Sequence, residues 1–278
     1  MPPPLALHQT TVLQCSPPEL VSIAAELGCD GVCVFVQVPA SPGAGRPVFP
    51  RVTPAMLPEM RARLRDTGVN VTNLEYFPLT AEVALQDFRA ALELGAALGA
   101  RRAVTHLHDT DENRGSDSLA RFADMALEYG LAVGLEFVGL SAGCPSLARA
   151  LQLVERAGRA NLGVGVDALH LQRTGGSPAD LAGVDARLLS YAQLCDGPAL
   201  ADPGQALDQT RYVAEVFNRL APGDGVFPLK ELMQALPADI PCDVEVPALR
   251  LIEAGITPVE HARRAVMGAR QVLAAAGR

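Results

Sequence analysis

Apolar stretches and helix-like stretches alternate along the whole chain, and this alternation restricts the fold more than any other sequence feature. Eight short apolar runs lie at residues 5–12, 31–38, 69–77, 102–108, 131–138, 161–168, 189–195 and 242–247. Helical patterns lie between them, at 17–27, 54–67, 81–98, 116–129, 145–157, 207–219, 228–235 and 258–276, with a short piece near 178–183. Strands that alternate with helices pair in parallel. Eight such units in 278 residues predict a (β/α)8 barrel, formed by a single domain over residues 1–278.

The competing α/β architecture is an open, doubly wound sheet that binds a nucleotide. That fold carries a glycine-rich loop after its first strand, whereas residues 12–16 read Val-Leu-Gln-Cys-Ser. No change in composition marks a second domain. We therefore expect one barrel, with its active site at the carboxyl ends of the strands.

Charge and composition restrict the partners. Lys and Arg number 23 against 31 Asp and Glu, which gives a formal net charge of −8. This charge disfavours nucleic acid, since phosphate contacts need clustered basic side chains. No uncharged apolar run reaches the ~18 residues of a membrane span, the N-terminus lacks a signal-peptide pattern, and the six cysteines lack metal-binding spacing. We expect a cytoplasmic protein with a small-molecule substrate and no nucleic-acid or membrane partner; a homodimer stays an open alternative.

Four of the predicted strands in the second half of the chain end on an acidic or amide side chain. These residues are Glu136, Asp167, Gln193 and Glu245. A carboxylate at the end of an apolar strand is costly to bury unless another group pairs with it. Because the strand ends of a barrel converge, the four side chains are expected to share one partner, and a divalent metal ion is the simplest.

The order of these residues and their neighbours resembles the xylose isomerase-like TIM-barrel superfamily. The matching elements are Glu136, Asp167-x-x-His170, Gln193-x-x-Asp196, the Pro-Gly-Asp-Gly turn at 222–225, and Glu245. This group includes sugar phosphate isomerases and epimerases, keto-sugar epimerases, hydroxypyruvate isomerases and 3-dehydroshikimate dehydratases. The resemblance implies that Glu136, Asp167, Gln193 and Glu245 are the metal ligands. Ligation by oxygen alone favours Mg²⁺ or Mn²⁺ over Zn²⁺.

Gln193 departs from the pattern of many family members. Many isomerases and epimerases of the group have histidine at this position, whereas glutamine is familiar from the 3-dehydroshikimate dehydratase branch. The substitution therefore favours a dehydratase more than the rest of the motif does.

Five further side chains are candidates for catalysis or substrate binding. His170 lies three residues beyond Asp167, and the resemblance places it beside the metal. His106 and His108 alternate along the fourth strand, so both face the same side. Arg219 directly precedes the turn region at 220–225, and because relatives often carry arginine close to this turn, it is expected to bind an anionic end of the substrate. Asp196 is expected to orient a neighbouring group at the substrate-binding site. Arginine binds carboxylate or phosphate in bidentate fashion, and Arg46, Arg51 and Arg211 are alternatives for that task.

The expected chemistry is enolisation of a small keto sugar or hydroxylated carbonyl acid. Glu136 and Glu245 are predicted to act as the acid/base pair, and His170 as a proton carrier, because imidazole titrates near neutral pH. Return of the proton gives isomerisation or epimerisation, and loss of a β-hydroxyl gives dehydration. We predict an isomerase or epimerase, with a dehydratase as the alternative. Two other readings stay open: a nuclease resembling endonuclease IV, which the five histidines and acidic charge disfavour, and a subunit that needs a second polypeptide.

Overall fold

Eight parallel strands form a closed barrel in which each strand pairs with the next and β8 pairs with β1. The computed structural model describes residues 2–38, 48–200 and 208–278. The strands are β1 (Leu5–His8), β2 (Gly31–Phe35), β3 (Asn70–Leu79), β4 (Arg102–Leu107), β5 (Ala132–Glu136), β6 (Leu162–Asp167), β7 (Leu189–Leu194) and β8 (Cys242–Val244). The predicted (β/α)8 barrel is confirmed.

Helices follow the strands and cover the outside of the barrel. They are α1 (Pro17–Glu26), α2 (Leu57–Thr67), α3 (Arg89–Ala97), α4 (Glu112–Glu128), α5 (Leu147–Ala157), α6 (Ala168–Arg173), α7 (Gln209–Val216), α8 (Leu229–Ala235), α9 (Leu249–Glu253) and α10 (Pro258–Ala275). In the described part of the chain, no helix combines the length and the apolar character needed to cross a membrane. All six cysteines are buried and unpaired.

Side-chain caps decide several boundaries that hydrophobic periodicity misplaces. β1 ends at His8 rather than continuing to residue 12, because the His8 imidazole accepts the Thr10 N–H and starts a 3-10 turn over Gln9–Val12. α6 begins directly after β6, because the Asp167 carboxylate accepts the His170 N–H. α4 begins at Glu112 rather than 116, since the Asp111 side chain caps it. Such caps satisfy backbone donors that a helix leaves unpaired.

Inside the barrel, a tyrosine occupies the space left by two glycines. Tyr191 on β7 is fully buried, and a Cβ added at Gly134 or at Gly165 would lie well inside van der Waals contact of its ring. The Arg102 guanidinium lies 5.2 Å from the ring centroid, a cation–π contact. The Tyr191 hydroxyl donates to the Glu136 carboxylate at 3.2 Å. The packing below the strand ends therefore supports a predicted site residue directly.

We expect Gly165→Ala to destabilise the fold by about 1–3 kcal/mol, since the added methyl overlaps the Tyr191 ring. Urea unfolding followed by circular dichroism measures the change in the free energy of unfolding. In a Tyr191→Leu background the same substitution should cost much less, because the ring is gone and the two sites are coupled. Equal costs in both backgrounds would refute the packing argument.

Candidate metal and active site

A cavity of about 240 Å³ opens at the carboxyl ends of the strands, where the fold places active sites. Its polar lining comes mainly from predicted site residues. The predicted residues in the lining are His106, His108, Glu136, His170, Arg219 and Glu245; Thr10, Glu75 and Tyr76 complete the polar lining.

Three buried carboxylates lie at the base of this cavity. Glu136 at the end of β5, Asp167 at the end of β6 and Glu245 just after β8 are 4%, 0% and 7% exposed. Arg219, which is also buried, links two of them: its Nη1 lies 2.5 Å from Asp167 Oδ2 and 3.0 Å from Glu245 Oε2. The structure thus places the predicted carboxylate ligands close together, and Arg219 forms ion pairs with two of them.

Glu136 is held by three side chains. His106 Nε2 lies 3.4 Å from Oε2, His170 Nε2 lies 3.3 Å from Oε1, and the Tyr191 hydroxyl donates to Oε2. Burial alone would raise the pKa of Glu136, but the hydrogen bonds to His106 and His170 hold that pKa well below its ordinary value. Glu136 is therefore a carboxylate at neutral pH.

A phenol determines how His170 presents its imidazole. The Tyr212 hydroxyl accepts the Gly139 N–H at 2.9 Å and lies 2.7 Å from His170 Nδ1. The hydroxyl proton is then free to be donated to Nδ1, which leaves the imidazole proton on Nε2, opposite Glu136. In this arrangement His170 donates a hydrogen bond to Glu136. Its ring also belongs to a buried group of ligand atoms, with Glu136 and Asp167, that lie within 4.8 Å of one another and could hold a metal ion.

Gln193 on β7 provides a test of whether these residues suit a metal ion. Its Nε2 donates to Glu245 Oε2 at 2.9 Å, while its buried Oε1 has no hydrogen-bond partner. An unsatisfied buried acceptor is costly, and an oxygen-preferring cation satisfies one. The set of three carboxylates and one free amide oxygen therefore fits a divalent ion.

The charge balance agrees with that fit. With all three carboxylates ionised, they and Arg219 sum to −3 + 1 = −2. Burial, together with the nearby Asp167 and Glu136 charges, raises the pKa of Glu245 to about 8, although Arg219 and His8 lower it. A bound dication would neutralise the excess charge.

A second group of close ligand atoms comprises His8, Cys33 and Glu75, all buried. His8 Nε2 lies 2.9 Å from Glu75 Oε1, its Nδ1 accepts the Thr10 N–H at 3.1 Å, and the Thr10 hydroxyl donates to Glu245 Oε1 at 3.3 Å. This hydrogen-bonded row supports Glu245 from the β1 side of the barrel.

Asp196 lies outside the cavity lining. Its carboxylate accepts three backbone N–H groups, from Gly197, Gly223 and Phe227. It thereby fixes the 222–225 turn next to Arg219. A contact with substrate stays a prediction for Asp196, whereas the structure shows it holding the turn.

The remaining predicted binding residues differ in their positions. His108 lines the cavity, and burial with the neighbouring His106 lowers its pKa to about 4. Arg51 and Arg211 are exposed and do not line the cavity. Arg46 lies outside the described residues.

Sequence patterns missed three contributors to the site: Thr10, Tyr191 and Tyr212. Tyr191 had a usable signal, because it lies two residues before Gln193 on one strand and therefore shares its face. Thr10 was missed because the first strand was predicted to run to residue 12, whereas β1 ends at His8. Tyr212 carries no local signal, since its contact with His170 joins two distant parts of the chain.

Comparison with known proteins settles the family. A family model described as "Xylose isomerase-like TIM barrel" matches residues 21–266. The chain belongs to the xylose isomerase-like TIM barrel family. The resemblance drawn from the strand-end motifs is confirmed.

Solved structures of the family superpose on this barrel. A xylose isomerase-like TIM barrel/4-hydroxyphenylpyruvate dioxygenase fusion protein gives a TM-score of 0.79 at 18% identity, covering 98% of this chain but 43% of that chain. The IolI protein with a bound zinc atom gives 0.79 at 17% identity, covering 99% and 98%. D-psicose 3-epimerase gives 0.72 at 16% identity, with full coverage of both chains (100% and 100%). At these identities the likeness shows the fold alone.

One curated relative matches by sequence. The 3-dehydroshikimate dehydratase of Pseudomonas aeruginosa (strain PAO1) is 31% identical over 114 residues, which are 41% of this chain. The chain spans only 17% of the length of that relative.

Arg219 is expected to stabilise the carboxylate cluster most strongly when no metal is bound. With EDTA present, Arg219→Met should lower the free energy of unfolding by about 3–5 kcal/mol, because Asp167 and Glu245 lose their buried counter-charge. With saturating Mn²⁺ the loss should be smaller, because the dication supplies positive charge. Urea unfolding under both conditions measures the difference.

Arg173→Met is the matched control. Arg173 pairs with Glu215 in a largely buried contact away from the cavity lining. Its loss should be the same with EDTA and with Mn²⁺. A loss for Arg219→Met that is likewise unchanged by the metal would contradict the shared-charge argument.

Proposed function

We propose that this protein is a divalent-metal-dependent isomerase or epimerase that acts by enolisation on a small hydroxylated carbonyl compound. The observation that carries the proposal is the set of three buried carboxylates and one unpartnered amide oxygen beneath an open cavity. Similarity in fold to D-psicose 3-epimerase supports the same reaction class.

The residues that would hold the ion are Glu136, Asp167, Gln193 and Glu245. A dication bound there supplies a Lewis acid that stabilises negative charge developing on a carbonyl oxygen. Four oxygen donors favour Mg²⁺ or Mn²⁺. The IolI structure has a similar fold and a bound zinc atom, which supports a divalent ion for this protein as well.

The proton transfers fall to the cavity-lining carboxylates. Glu136 and Glu245 stand three strands apart in the barrel order and both line the cavity. One removes the proton next to the carbonyl, and an enediolate forms. Return of the proton to the other carbon isomerises the substrate, whereas return from the opposite face epimerises it. His170, with its proton directed at Glu136 and its Nδ1 anchored by Tyr212, is placed to stabilise that carboxylate between turnovers.

Dehydration is the second candidate, because Gln193 stands where many epimerases of this family have histidine. The partial match to a 3-dehydroshikimate dehydratase supports it as well. In this version the enolate expels a β-hydroxyl, and a histidine at the cavity donates the proton that leaves with it as water. Incubation with 3-dehydroshikimate followed by mass spectrometry tests this reading, since water loss would favour the lyase.

Glu245→Gln should lower the rate of substrate α-proton exchange by about 10²–10⁴-fold, because an amide cannot accept the proton. Exchange is measured in deuterium oxide by proton NMR with a panel of α-hydroxy ketones, and circular dichroism checks the fold. Glu155→Gln, on the exposed surface of α5, is the control and should retain the wild-type rate. A fully active Glu245→Gln protein would refute the assignment.

Gln193→Leu should weaken Mn²⁺ binding by about 10–100-fold, because leucine keeps the volume but removes the amide oxygen. This range is typical for loss of a polar group that supports a metal site. Isothermal titration calorimetry measures the affinity. Gln152→Leu, which alters an exposed amide on α5, should bind Mn²⁺ as the unaltered protein does. Equal affinities for the two variants would remove Gln193 from the ligand set.

A further inference from the structure

The cavity is lined by two chemically different sets of side chains. Its base carries the carboxylates, Arg219 and the histidines. The rest of its lining is mainly carbon and includes Val138, Leu140 and a set that we call the apolar wall: Phe35, Phe49, Val213, Val216, Phe217 and Pro247. Phe49, Val213, Val216 and Phe217 are only partly buried, so they retain accessible carbon surface at the cavity.

The aromatic members of the wall form a continuous row. The Phe35 and Phe49 ring centroids are 5.0 Å apart in an edge-on contact, and Phe49 lies 6.3 Å from Phe217. Phe35 in turn meets the buried His8 ring edge-on at 5.8 Å. Edge-to-face pairs of this kind hold rings in fixed positions. The wall is therefore a preformed surface.

The concentration of aromatic rings at this place is unusual for the chain. The sequence contains 8 Phe, 4 Tyr and no Trp. Of these twelve rings, four line this one cavity: Phe35, Phe49, Tyr76 and Phe217. Small-molecule sites combine apolar surface with a few polar groups that fix orientation, and the wall and the base divide those tasks between them.

A charged substrate end finds little to bind at the wall. In the described ranges 2–38, 48–200 and 208–278, Arg219 is the guanidinium or ammonium group that lines the cavity, and it is engaged by Asp167 and Glu245. His106 and His108 also line the cavity. His106 is engaged by Glu136 at 3.4 Å, and burial beside His106 lowers the pKa of His108, which keeps His108 neutral near pH 7. Phosphate and carboxylate recognition requires charged donors.

Substrate hydroxyl groups also find no hydrogen-bond partner on the apolar wall. A hydroxyl buried without a partner weakens binding by roughly 5–150-fold, whereas each methylene that leaves water strengthens binding about fourfold. At about 240 Å³, the cavity is smaller than the roughly 300–1,000 Å³ of drug-sized sites. It therefore suits a compact ligand with a polar end and a hydrocarbon end.

We propose that the substrate is an uncharged α-hydroxy ketone with a compact hydrocarbon substituent, a ring or short branched chain, that packs on the apolar wall while the carbonyl and hydroxyl face the carboxylates. This inference rests on the proposed enolisation. It distinguishes the substrate from phosphorylated, carboxylated and open-chain polyhydroxy sugars.

The test compares four α-hydroxy ketones with the Mn²⁺-loaded protein: benzyl hydroxymethyl ketone, dihydroxyacetone, D-fructose and dihydroxyacetone phosphate. The kcat/KM for α-proton exchange is measured in deuterium oxide by proton NMR. We expect the value for the benzyl ketone to exceed the other three by roughly 10–100-fold, from burial of its ring. An equal or higher value for D-fructose or for the phosphate would overturn the inference and leave the enolisation proposal intact.

Two variants connect the preference to the wall. Phe49→Ser and Phe217→Ser should each lower the ratio of kcat/KM for the benzyl ketone to that for dihydroxyacetone by about tenfold. Phe88→Leu, in the aromatic cluster with Phe77 and Phe122 away from the cavity, should leave that ratio unchanged. A ratio that is unchanged in both wall variants would contradict the role of the wall.

Calorimetric binding separates the two proposals. The diol obtained by reducing the benzyl ketone cannot enolise, and it should bind at least about tenfold more tightly than glycerol, the reduced form of dihydroxyacetone. If the diol binds in this way but no ketone exchanges its proton, the enolisation proposal fails and the preference for an apolar substituent stands. If the two diols bind equally, the inference fails.

Discussion

Burial of three carboxylates in one place is the constraint on which the rest of the site depends. Glu136, Asp167 and Glu245 lie at the ends of strands whose barrel geometry leaves them little room to separate. Arg219 neutralises part of this charge, and burial, together with the neighbouring Asp167 and Glu136 charges, raises the pKa of Glu245. The resulting deficit of positive charge explains why the site is suited to a dication and why Arg219 is engaged at the base of the cavity rather than free at its rim.

The structure supports this cluster from several sides at once. Below it, Tyr191 fills the space above Gly134 and Gly165 and donates to Glu136. On the side of α7, Tyr212 fixes the His170 ring, which in turn contacts Glu136. Each support holds a carboxylate in its ionised form or fixes its orientation. The proposed chemistry depends on this arrangement as much as on the ligands themselves, because acid/base groups act only from defined positions.

In the proposed mechanism, the groups that react with the substrate and the groups that select it lie on different structural elements. The carboxylates come from the ends of β5, β6 and β8, which the closed sheet holds rigid. The apolar wall includes side chains from α7 and from the loop that follows β2. Loops and helices at this end of a barrel vary without disturbing the strands, which is why one fold can serve many substrates. Family membership therefore indicates the kind of chemistry better than it indicates the substrate.

The sequence by itself determined the barrel, its family and the strand-end residues, because hydrophobic periodicity and the spacing between motifs are local properties that can be read along the chain. It placed Glu136, Asp167, Gln193 and Glu245 at one end of the fold for the same reason. Only the tertiary structure decided that Arg219 pairs with Asp167, that Tyr212 fixes His170, and that Phe35, Phe49 and Phe217 form one wall. Those contacts join residues far apart in sequence, and the distances and burial that give them their energies exist only once the barrel has closed.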